Sequence, residues 1–345
     1  MRTLIIAEAG VNHNGNLELA RQLIDVAAEA GVDIVKFQTF KAEKLVSKAA
    51  QQAAYQTDNL RAGGDEAGAA DASQFAMLKK LELDDSAHHA LLAHCRARGI
   101  RFCSTPFDLE SMDELVALGV DLMKIPSGEL TNLPYLRKAG AQGLPVIVST
   151  GMATLGEIET ALLELEAAGT PRVRVTVLHC NTQYPTPMPD VNLRAMNTIG
   201  RAFDVAIGYS DHTLGIEVPI AAVPLGAVCI EKHFTLDRTL PGPDHAASLE
   251  PAELRAMVLA IRNIEAALGD GIKRASASEA PNKTVARRSV HLATDRPAGH
   301  LLTSADLELK RPGDGLPAAL LPTLLGRRLR HALAADHKLS WEDLG

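Results

Sequence analysis

The sequence has few of the features that would place it in several common classes of protein. Only 3% of its 345 residues are aromatic, whereas 46% are hydrophobic. A large core must therefore be packed from Ala, Val, Leu and Ile side chains. No apolar run approaches the roughly 20 residues that a membrane helix needs, and the N-terminal apolar run is interrupted by Glu8. We therefore expect a soluble protein with no signal peptide and no membrane contact.

Cysteine and positive charge are also scarce. The four cysteines show no CxxC spacing, so we interpret Cys95, Cys103, Cys180 and Cys229 as reduced and buried, which fits a cytoplasmic protein. The net charge is −7 and no long basic run occurs, which argues against nucleic-acid binding. Neither GxGxxG nor GxxxxGK[ST] is present, so nucleotide binding through those loops is not supported. An anionic substrate stays open, because it needs only a few local lysines or arginines.

Eight apolar runs are present, and each ends in polar residues and precedes a helix-like stretch. They cover residues 3–8, 33–38, 101–105, 121–129, 145–150, 173–181, 204–212 and 228–233. Eight strand–helix units predict an α/β fold of the (β/α)8 type, the TIM barrel, whose active site lies at the C-terminal ends of its strands. The polar residues at or just after these ends are the candidate site: Glu8, Lys36, Gln38, Thr105, Lys124, Ser127, Glu129, Ser149, Tyr184, Ser210, His212, Glu231 and His233.

The chain divides into a barrel and a small C-terminal part. We predict a TIM-barrel domain over residues 1–270, a polar linker over 271–285 and a small β-rich domain over 286–345. A domain of about 60 residues has a marginal core, so it should pack on a barrel, its own or a partner's. Within the barrel we predict a first helix over residues 17–31 and a last helix over 251–269, with helix-to-strand joints at Gly31, Gly99, Gly119, Gly140, Gly169 and Gly226.

Residues 41–80, after the second strand, are too long for an ordinary connection between a strand and a helix. Their interior, AGGDEAGAAD, is expected to be mobile. At the catalytic face such an insertion suggests a lid or a substrate wall, and a purely decorative insertion is the alternative.

Two histidines end neighbouring strands, His212 in GYSDHT and His233 in IEKHF. Adjacent strands lie about 5 Å apart, so the two imidazoles can converge on one ion. Alternation places Glu231 and His233 on one face of the strand and Lys232 on the other. Two histidines with open positions suit a catalytic metal, although such a pair taken alone is more often not a metal site.

Lys36 and Lys124 lie inside apolar strands, where a lysine is costly unless it is paired. One interpretation is an internal carboxylate, supplied by Glu8, Glu129 or Glu231. A second is a bound phosphate or carboxylate, favoured by nearby hydroxyl residues that end neighbouring strands. A third is a Schiff-base lysine, as in an aldolase.

Two further loops carry polar candidates. Asp244, in the GPDH loop after the eighth strand, could bind a sugar hydroxyl or act as a base, and a simple turn aspartate is equally compatible with the sequence. Three prolines between residues 185 and 189 stiffen the loop that presents Tyr184.

Taken together, the motifs resemble the sialic acid synthase family over nearly the full chain. The matching segments are AEAGVNHNG (7–15), VKFQTF (35–40), STPFD (104–108), KIPSGE (124–129), STGM (149–152), HCNTQYPTP (179–187), GYSDHT (208–213), EKHF (231–234) and GPDH (242–245). The segments VARRSV (285–290) and KRPGDG (310–315) resemble the family's antifreeze-like (SAF) domain.

This resemblance implies an enzyme that condenses phosphoenolpyruvate with an N-acetylated mannose-type sugar, giving a nine-carbon 3-deoxy-2-keto acid and phosphate. His212 and His233 resemble the family's divalent-metal ligands, usually for Mn2+, with Mg2+ or Co2+ as alternatives. Arg311 resembles the arginine that the SAF domain contributes to the partner's site in a domain-swapped homodimer. The family's phosphoenolpyruvate-binding residues match Lys36, Lys124, Thr105, Ser127, Ser149 and Ser210. Its sugar-binding and proton-transfer residues match Glu129, Gln38, Tyr184 and Asp244.

One departure from the family pattern bears on the sugar. Sialic acid enzymes carry Thr-Asn after the HC of the sixth motif, whereas this chain has Asn181-Thr182. That order resembles the branch that makes legionaminic acid from 2,4-diacetamido-2,4,6-trideoxymannose, and the sequence favours this sugar over N-acetylmannosamine. The contact made by Thr182 is left open.

The resemblance also suggests roles in the chemistry. Lys36 and Lys124 would hold the phosphoenolpyruvate anion, Glu8 would orient these lysines, and Glu129 would help water add at C2. The alternatives are a pyruvate aldolase with Lys124 as its nucleophile, and a non-enzymatic sugar-binding or ice-binding protein. Borohydride trapping would reveal the first, and phosphate release would exclude the second.

Overall fold

The computed structural model describes residues 2–345, which form two compact units. The first unit extends to Gly269 and the second spans Asp270–Gly345. Each unit is described by itself below.

The first unit is built on a sheet of eight parallel strands. Its order is β3-β2-β1-β8-β7-β6-β5-β4, and the two outer strands β3 and β4 also lie side by side, so that the sheet curls into a nearly closed ring. The predicted (β/α)8 barrel is therefore confirmed. The strands are β1 Leu4–Gly10, β2 Ile34–Thr39, β3 Arg101–Pro106, β4 Met123–Ile125, β5 Val146–Ser149, β6 Val175–Cys180, β7 Ala206–Asp211 and β8 Cys229–His233.

Twelve helices are described in this unit, and several have the ends that the sequence indicated. In the first of them the Asn16 side chain accepts hydrogen bonds from Glu18 N and Leu19 N, and Gly31 ends the helix in the left-handed region with a φ of 78°. The helices are α1 Leu17–Ala30, α2 Ala42–Leu45, α3 Ala54–Ala62, α4 Glu66–Asp71, α5 Gln74–Leu81, α6 Asp85–Arg98, α7 Leu109–Leu118, α8 Leu133–Ala141, α9 Leu155–Ala167, α10 Arg194–Phe203, α11 Glu217–Ala222 and α12 Pro251–Leu268.

The structure differs from the sequence prediction at three places in this unit. The insertion at 41–80 contains α2 to α5, and part of the stretch expected to be mobile forms α4. The apolar run at 121–129 is a strand only over Met123–Ile125, because Pro126 is followed by a 3-10 helix at Ser127–Glu129. Gly140 is not a joint but lies inside α8, where a Cβ atom would meet the Leu165 carbonyl oxygen at 2.9 Å. It is the close approach of α9, and not a turn, that requires glycine there.

The second unit has a small core of its own. Two antiparallel strands, β9 Ser289–Leu292 and β10 Leu307–Lys310, form its sheet, and the helices α13 Ala280–Ala286 and α14 Leu321–Leu324 precede and follow the strands in the chain. The predicted β-rich tail is thus present, although the predicted linker contains most of α13. The core of the second unit consists of Val290, Leu292, Leu302, Leu307, Leu316, Leu324, Leu329, Leu339 and Leu344.

The four cysteines are buried and free, as their spacing predicted. Across residues 2–345, no helix combines the length and the apolar character that crossing a membrane would require.

Candidate active site

A cavity of about 200 Å³ opens at the C-terminal ends of the barrel strands. This is the end of the barrel at which the sequence placed the chemistry. Thirteen of the predicted site residues line it: Glu8, Lys36, Gln38, Thr105, Lys124, Ser127, Ser149, Thr182, Tyr184, Ser210, His212, Glu231 and His233.

The floor of the cavity is a buried charge network centred on two lysines. Lys36 Nζ lies 2.6 Å from Glu8 Oε2 and 3.6 Å from Glu231 Oε2, and it donates to Thr105 Oγ1 at 2.9 Å. Lys124 Nζ donates to Ser149 Oγ at 2.8 Å and lies 3.4 Å from Glu231 Oε1.

Glu231 therefore lies between the two ammonium groups. Its Oε1 also accepts a hydrogen bond from Ser210 Oγ at 2.9 Å. Of the three interpretations that the sequence left open for the lysines, the first, internal pairing with carboxylates, is thus present. The hydroxyl groups contacting both lysines keep the second interpretation, an anion site, compatible with the structure.

The pKa values of the two buried glutamates are shifted in opposite directions. Burial raises the pKa of Glu8 to about 7, since the opposing effect of Lys36 does not fully offset it and Glu231 adds to it. Burial also acts to raise the pKa of Glu231, but Lys124, Lys36 and the Ser210 hydrogen bond outweigh it and lower the value to about 2. Near neutral pH the floor is therefore poised to lose a negative charge at Glu8, which leaves an excess of positive charge for an anionic ligand.

The two histidines meet at the side of the same cavity. Their ring centroids are 5.3 Å apart. Burial lowers the pKa of His212 to about 4 and lowers that of His233 well below its ordinary value, so both rings are neutral. His212 Nδ1 donates to the Asn181 carbonyl oxygen, which leaves its Nε2 lone pair free for a ligand.

The donor set fits a divalent metal. His233 Nδ1 is buried and has no hydrogen-bond partner within residues 2–345, which is the state of a nitrogen that a ligand would satisfy. Neutral imidazoles are common metal ligands. No cluster of three or more His, Cys, Asp or Glu side chains suited to a metal occurs in the described part of the chain. A divalent ion held by these two imidazoles alone would keep coordination positions open for a substrate, as catalytic metal sites do.

Four of the predicted site residues lie outside the cavity lining. Glu129 follows the lining residues Ser127 and Gly128, and its carboxylate accepts from Asn132 Nδ2 at 2.6 Å. Asn181 contributes its carbonyl to His212, while its side chain accepts from Gln183 N.

The other two are Asp244 and Arg311. Asp244 Oδ2 lies 3.9 Å from His233 Nδ1, and burial raises the pKa of this carboxyl to about 6. Arg311 belongs to the second unit, where its Nε donates to the Ala286 carbonyl oxygen at 3.0 Å. The roles expected of these four residues remain predictions.

Sequence reasoning missed several apolar or aromatic residues of the cavity wall. They are Tyr55, Phe107, Pro126 and Met152. Tyr55 comes from the insertion and stacks on Tyr184, with centroids 5.2 Å apart, and Tyr184 in turn stacks on His212 at 3.9 Å. The available signal was Tyr55 itself, one of only four tyrosines in the chain, within a long insertion at the catalytic face.

A barrel whose strand ends combine a lysine–glutamate floor with a pair of neutral imidazoles has the form of an enzyme acting on an anionic substrate. The chain belongs to the NeuB family, whose model matches residues 23–273, and residues 287–345 match the SAF domain. The resemblance noted in the sequence is therefore confirmed.

Similar proteins include two bacterial synthases. The chain is 51% identical to N,N'-diacetyllegionaminic acid synthase of Campylobacter jejuni, over 94% of this chain and 95% of the relative. It is 45% identical to the protein of the same name from Legionella pneumophila, over 100% of this chain and 95% of the relative. Among solved structures, N-acetylneuraminic acid (sialic acid) synthetase from Leptospira borgpetersenii is similar at a TM-score of 0.69 and 36% identity, covering 82% of this chain and 90% of that one.

Proposed function

We propose that this protein condenses phosphoenolpyruvate with 2,4-diacetamido-2,4,6-trideoxymannose, giving N,N'-diacetyllegionaminate and inorganic phosphate. The observation that carries the proposal is the floor of paired lysines and hydroxyls beside two neutral imidazoles at one barrel mouth. The names of the Campylobacter jejuni and Legionella pneumophila synthases support the sugar, and so does the Asn181-Thr182 order.

In this proposal the lysines hold the phosphoenolpyruvate anion. Lys36 and Lys124 supply two ammonium groups, and Thr105, Ser149 and Ser210 lie within hydrogen-bonding distance of the floor network. Phosphate and carboxylate oxygens would take over contacts that Glu8 and Glu231 now make. Holding both substrates in one cavity converts their encounter into a positioned reaction.

The reaction forms one carbon–carbon bond and breaks one carbon–oxygen bond. C3 of phosphoenolpyruvate attacks the aldehyde carbon of the open-chain sugar, and positive charge develops at C2. Water adds at C2 and loses one proton, and the former aldehyde oxygen gains one. The C2 hydroxyl then becomes the keto group as the C2–O bond breaks, and phosphate leaves with the bridging oxygen and the hydroxyl proton. Of the two carboxylates predicted to be catalytic, Glu8 and Glu129, only Glu8 lines the cavity, and its pKa near 7 suits proton transfer at neutral pH.

His212 and His233 would hold the divalent metal, for which Mn2+ is the expected ion. When bound there, such an ion supplies Lewis-acid polarisation of the sugar's aldehyde oxygen. Asp244, buried 3.9 Å from His233 Nδ1, would orient that imidazole or a sugar hydroxyl.

Phosphate release tests the reaction. The wild-type protein should release phosphate from phosphoenolpyruvate only when an N-acetylated sugar is present, and kcat/KM should be higher with the diacetamido sugar than with N-acetylmannosamine. If N-acetylmannosamine is the better substrate by about tenfold or more, the sugar is wrong and the protein acts as a sialic acid synthase in the narrow sense.

Matched lysine variants and an isotope label sharpen this test. Lys36→Met should lower kcat/KM by at least about a hundredfold, since it removes a buried charge from the proposed anion site, while the exposed Lys44→Met should not change it. With 18O in the bridging oxygen of phosphoenolpyruvate, the label should appear in the phosphate. Label retained in the keto acid would contradict C–O cleavage.

Metal dependence is tested by binding and by activity. Chelation should abolish turnover, and Mn2+ should restore it. After the metal and the chelator have been removed, His212→Ala and His233→Ala should each bind added Mn2+ more weakly, as measured by electron paramagnetic resonance. Their far-ultraviolet circular dichroism should match that of the wild type. Full turnover of either variant in chelating buffer would contradict the metal assignment.

The assembly is proposed to be a homodimer with exchanged C-terminal domains, located in the cytoplasm. Among residues 2–345, no arginine lines the cavity. The family resemblance implies that Arg311 of the partner subunit supplies an arginine to this site. The free cysteines fit a reducing compartment.

The aldolase alternative is disfavoured by the surroundings of Lys124. A Schiff-base lysine must lose its proton to attack a carbonyl. Here Lys124 Nζ lies 3.4 Å from Glu231 Oε1 and donates to Ser149 Oγ at 2.8 Å, and an attack on a carbonyl would give up both contacts. Borohydride treatment in the presence of pyruvate should therefore leave Lys124 unmodified.

A further inference from the structure

The wall of the cavity changes character from its floor to its rim. The floor residues Lys36, Lys124 and Glu231 have side chains that are at most 5% exposed. Above the floor the lining includes five aromatic or apolar residues, of which Met152 is 74% exposed, together with the half-buried polar residues Gln38, Ser127 and Thr182. We use the term rim for the five aromatic or apolar residues: Tyr55, Phe107, Pro126, Met152 and Tyr184. The cavity therefore suits a ligand that is anionic at one end and presents both polar and apolar groups at the other.

Tyr55 is held in the rim by the packing of α3 on the barrel loops. Asn59, four residues further along the helix and so on the same face, donates through Nδ2 to the Pro243 carbonyl oxygen at 2.6 Å and to that of Tyr184 at 3.4 Å. At the end of α3, a Cβ atom on Gly63 would lie 2.8 Å from the Leu240 carbonyl oxygen. The insertion is thus docked against the loops that carry Tyr184 and Asp244.

The rings of Tyr184 and Tyr55 are stacked in series on His212 and lead outward toward the rim. Tyr184 lies on His212 with an interplanar angle of 29°, and Tyr55 lies on Tyr184 with an angle of 21°. If the sugar's aldehyde carbon lies at the histidines, Tyr55 is two stacking steps from the reacting carbon. The sugar atoms that reach this position are those at the far end, C4 to C6.

We propose that Tyr55 forms the subsite for the acetamido group at C4 of the sugar, a proposal that rests on the proposed function. The planar amide would stack on the phenol ring, and its methyl group would be removed from water against the rim. Since the two candidate sugars differ at C4, Tyr55 would be a specificity-determining residue supplied by the insertion.

The test compares two sugars across four proteins. Wild type, Tyr55→Ala, Tyr55→Phe and the control Arg61→Ala, an exposed position on the same helix, are assayed for kcat/KM with the diacetamido sugar and with N-acetylmannosamine. Tyr55→Ala should lose about tenfold with the diacetamido sugar and about threefold at most with N-acetylmannosamine, the range expected for a small apolar group in a pocket. Tyr55→Phe and Arg61→Ala should keep the wild-type ratio, and the KM for phosphoenolpyruvate should stay constant throughout.

An equal loss with both sugars, or no loss with either, overturns the subsite while leaving the proposed reaction intact. A wild type that releases phosphate with neither sugar, or that prefers N-acetylmannosamine, contradicts the proposed function as well. If the melting temperature shows that Tyr55→Ala is unfolded, Tyr55→Leu takes its place, with the same expected change in the sugar ratio.

Discussion

At the scale of single residues, alternation at the ends of two strands places some side chains in the cavity and their neighbours in the protein interior. His212 and His233 face the cavity, while their neighbours Asp211 and Lys232 point away and are fully buried, with both side chains 0% exposed. Lys232 Nζ lies 2.6 Å from Asp211 Oδ2 and also donates to the Thr213 carbonyl oxygen. Burial lowers the pKa of Lys232 and raises that of Asp211. This ion pair ties together the ends of the two strands that carry the histidines.

Removing one partner of this pair should be costly. Lys232→Met leaves the Asp211 carboxylate buried without its counter-charge, and the free energy of unfolding should fall by about 3–5 kcal/mol. The double variant Asp211→Asn/Lys232→Met should recover much of that loss, because no uncompensated charge remains. Urea unfolding measures both effects.

As a control, Lys41→Met removes a partly exposed pair with Glu114 and should lower the free energy of unfolding by about 1 kcal/mol or less. Equal stability of Lys232→Met and Lys41→Met would contradict this account.

Another buried carboxylate gives a prediction about pH. Asp306 is contacted by the His300 ring at 2.9 Å, accepts from Thr303 N at 2.8 Å and is paired with Arg296. Burial acts to raise its pKa, but these partners outweigh it and hold the pKa well below its usual range. A lowered carboxyl pKa contributes stability that is present above the unfolded-state value, about 3.9, and lost as pH falls below it.

Asp306→Asn should therefore lower the melting temperature of the second unit at pH 7, and its difference from wild type should shrink below about pH 4. Calorimetric scans between pH 7 and pH 3 measure this dependence. Asp314→Asn removes an exposed partner of Lys338 and should cause a smaller change at every pH. A difference that stays constant down to pH 3 would contradict the role of the carboxylate charge.

The predictability of the site from sequence differs by residue. Twelve lining side chains could be predicted because strand ends converge in a barrel, which requires only the order of apolar runs, whereas Thr182 was named only through the family resemblance. The pairing of Asp211 with Lys232 could not be found that way, because it depends on the register between β7 and β8. Tyr55 could not be placed either, since periodicity does not tell where an inserted helix docks.

At the scale of elements, sequence patterns did not predict the helices of the insertion or the contacts between helices. The strands follow from apolar runs, and the first and last barrel helices follow from helical spacing and from ends such as Gly31. The short helices at 41–80 are stabilised by contacts with the barrel loops, such as that between Asn59 and Pro243, and not by their own periodicity. A helix of this length is marginal in isolation, so its sequence signal is weak.

Two helix glycines provide a matched pair of substitutions with opposite expected signs. In α8, a Cβ atom at Gly140 would meet Ala168 Cβ at 2.8 Å and the Leu165 carbonyl oxygen at 2.9 Å, and so Gly140→Ala should destabilise the protein by about 1–3 kcal/mol. In α9, a Cβ atom at Gly156 meets nothing within 4 Å, and so Gly156→Ala should stabilise the helix by up to about 1 kcal/mol. Urea unfolding of the two variants measures the difference. A stabilising Gly140→Ala would show that α8 and α9 can separate at no cost.

At the scale of the whole molecule, the two units divide the proposed work unequally. The barrel unit holds the charged floor, the two imidazoles and the stacked tyrosines. The second unit has a core of nine apolar residues, small for an independent domain, and it carries the one arginine that the family resemblance places in an active site. The fold of each unit could be predicted from sequence because each rests on local patterns. Assembly could not be predicted in that way, because contacts between chains leave no period in the sequence.

Sharing of the active site between chains is tested by mixing two inactive proteins. Arg311→Ala lacks the contribution of the second unit, and Lys124→Ala lacks part of the floor, so each homodimer should be inactive. In a hybrid dimer with exchanged domains, one site combines an intact Lys124 with Arg311 of the partner subunit. An equal mixture should therefore recover about a quarter of wild-type activity once subunits have exchanged randomly in a twofold dimer. Differently tagged chains verify the exchange. If verified hybrids remain inactive, Arg311 acts within its own chain or not at all, and the exchanged dimer is wrong.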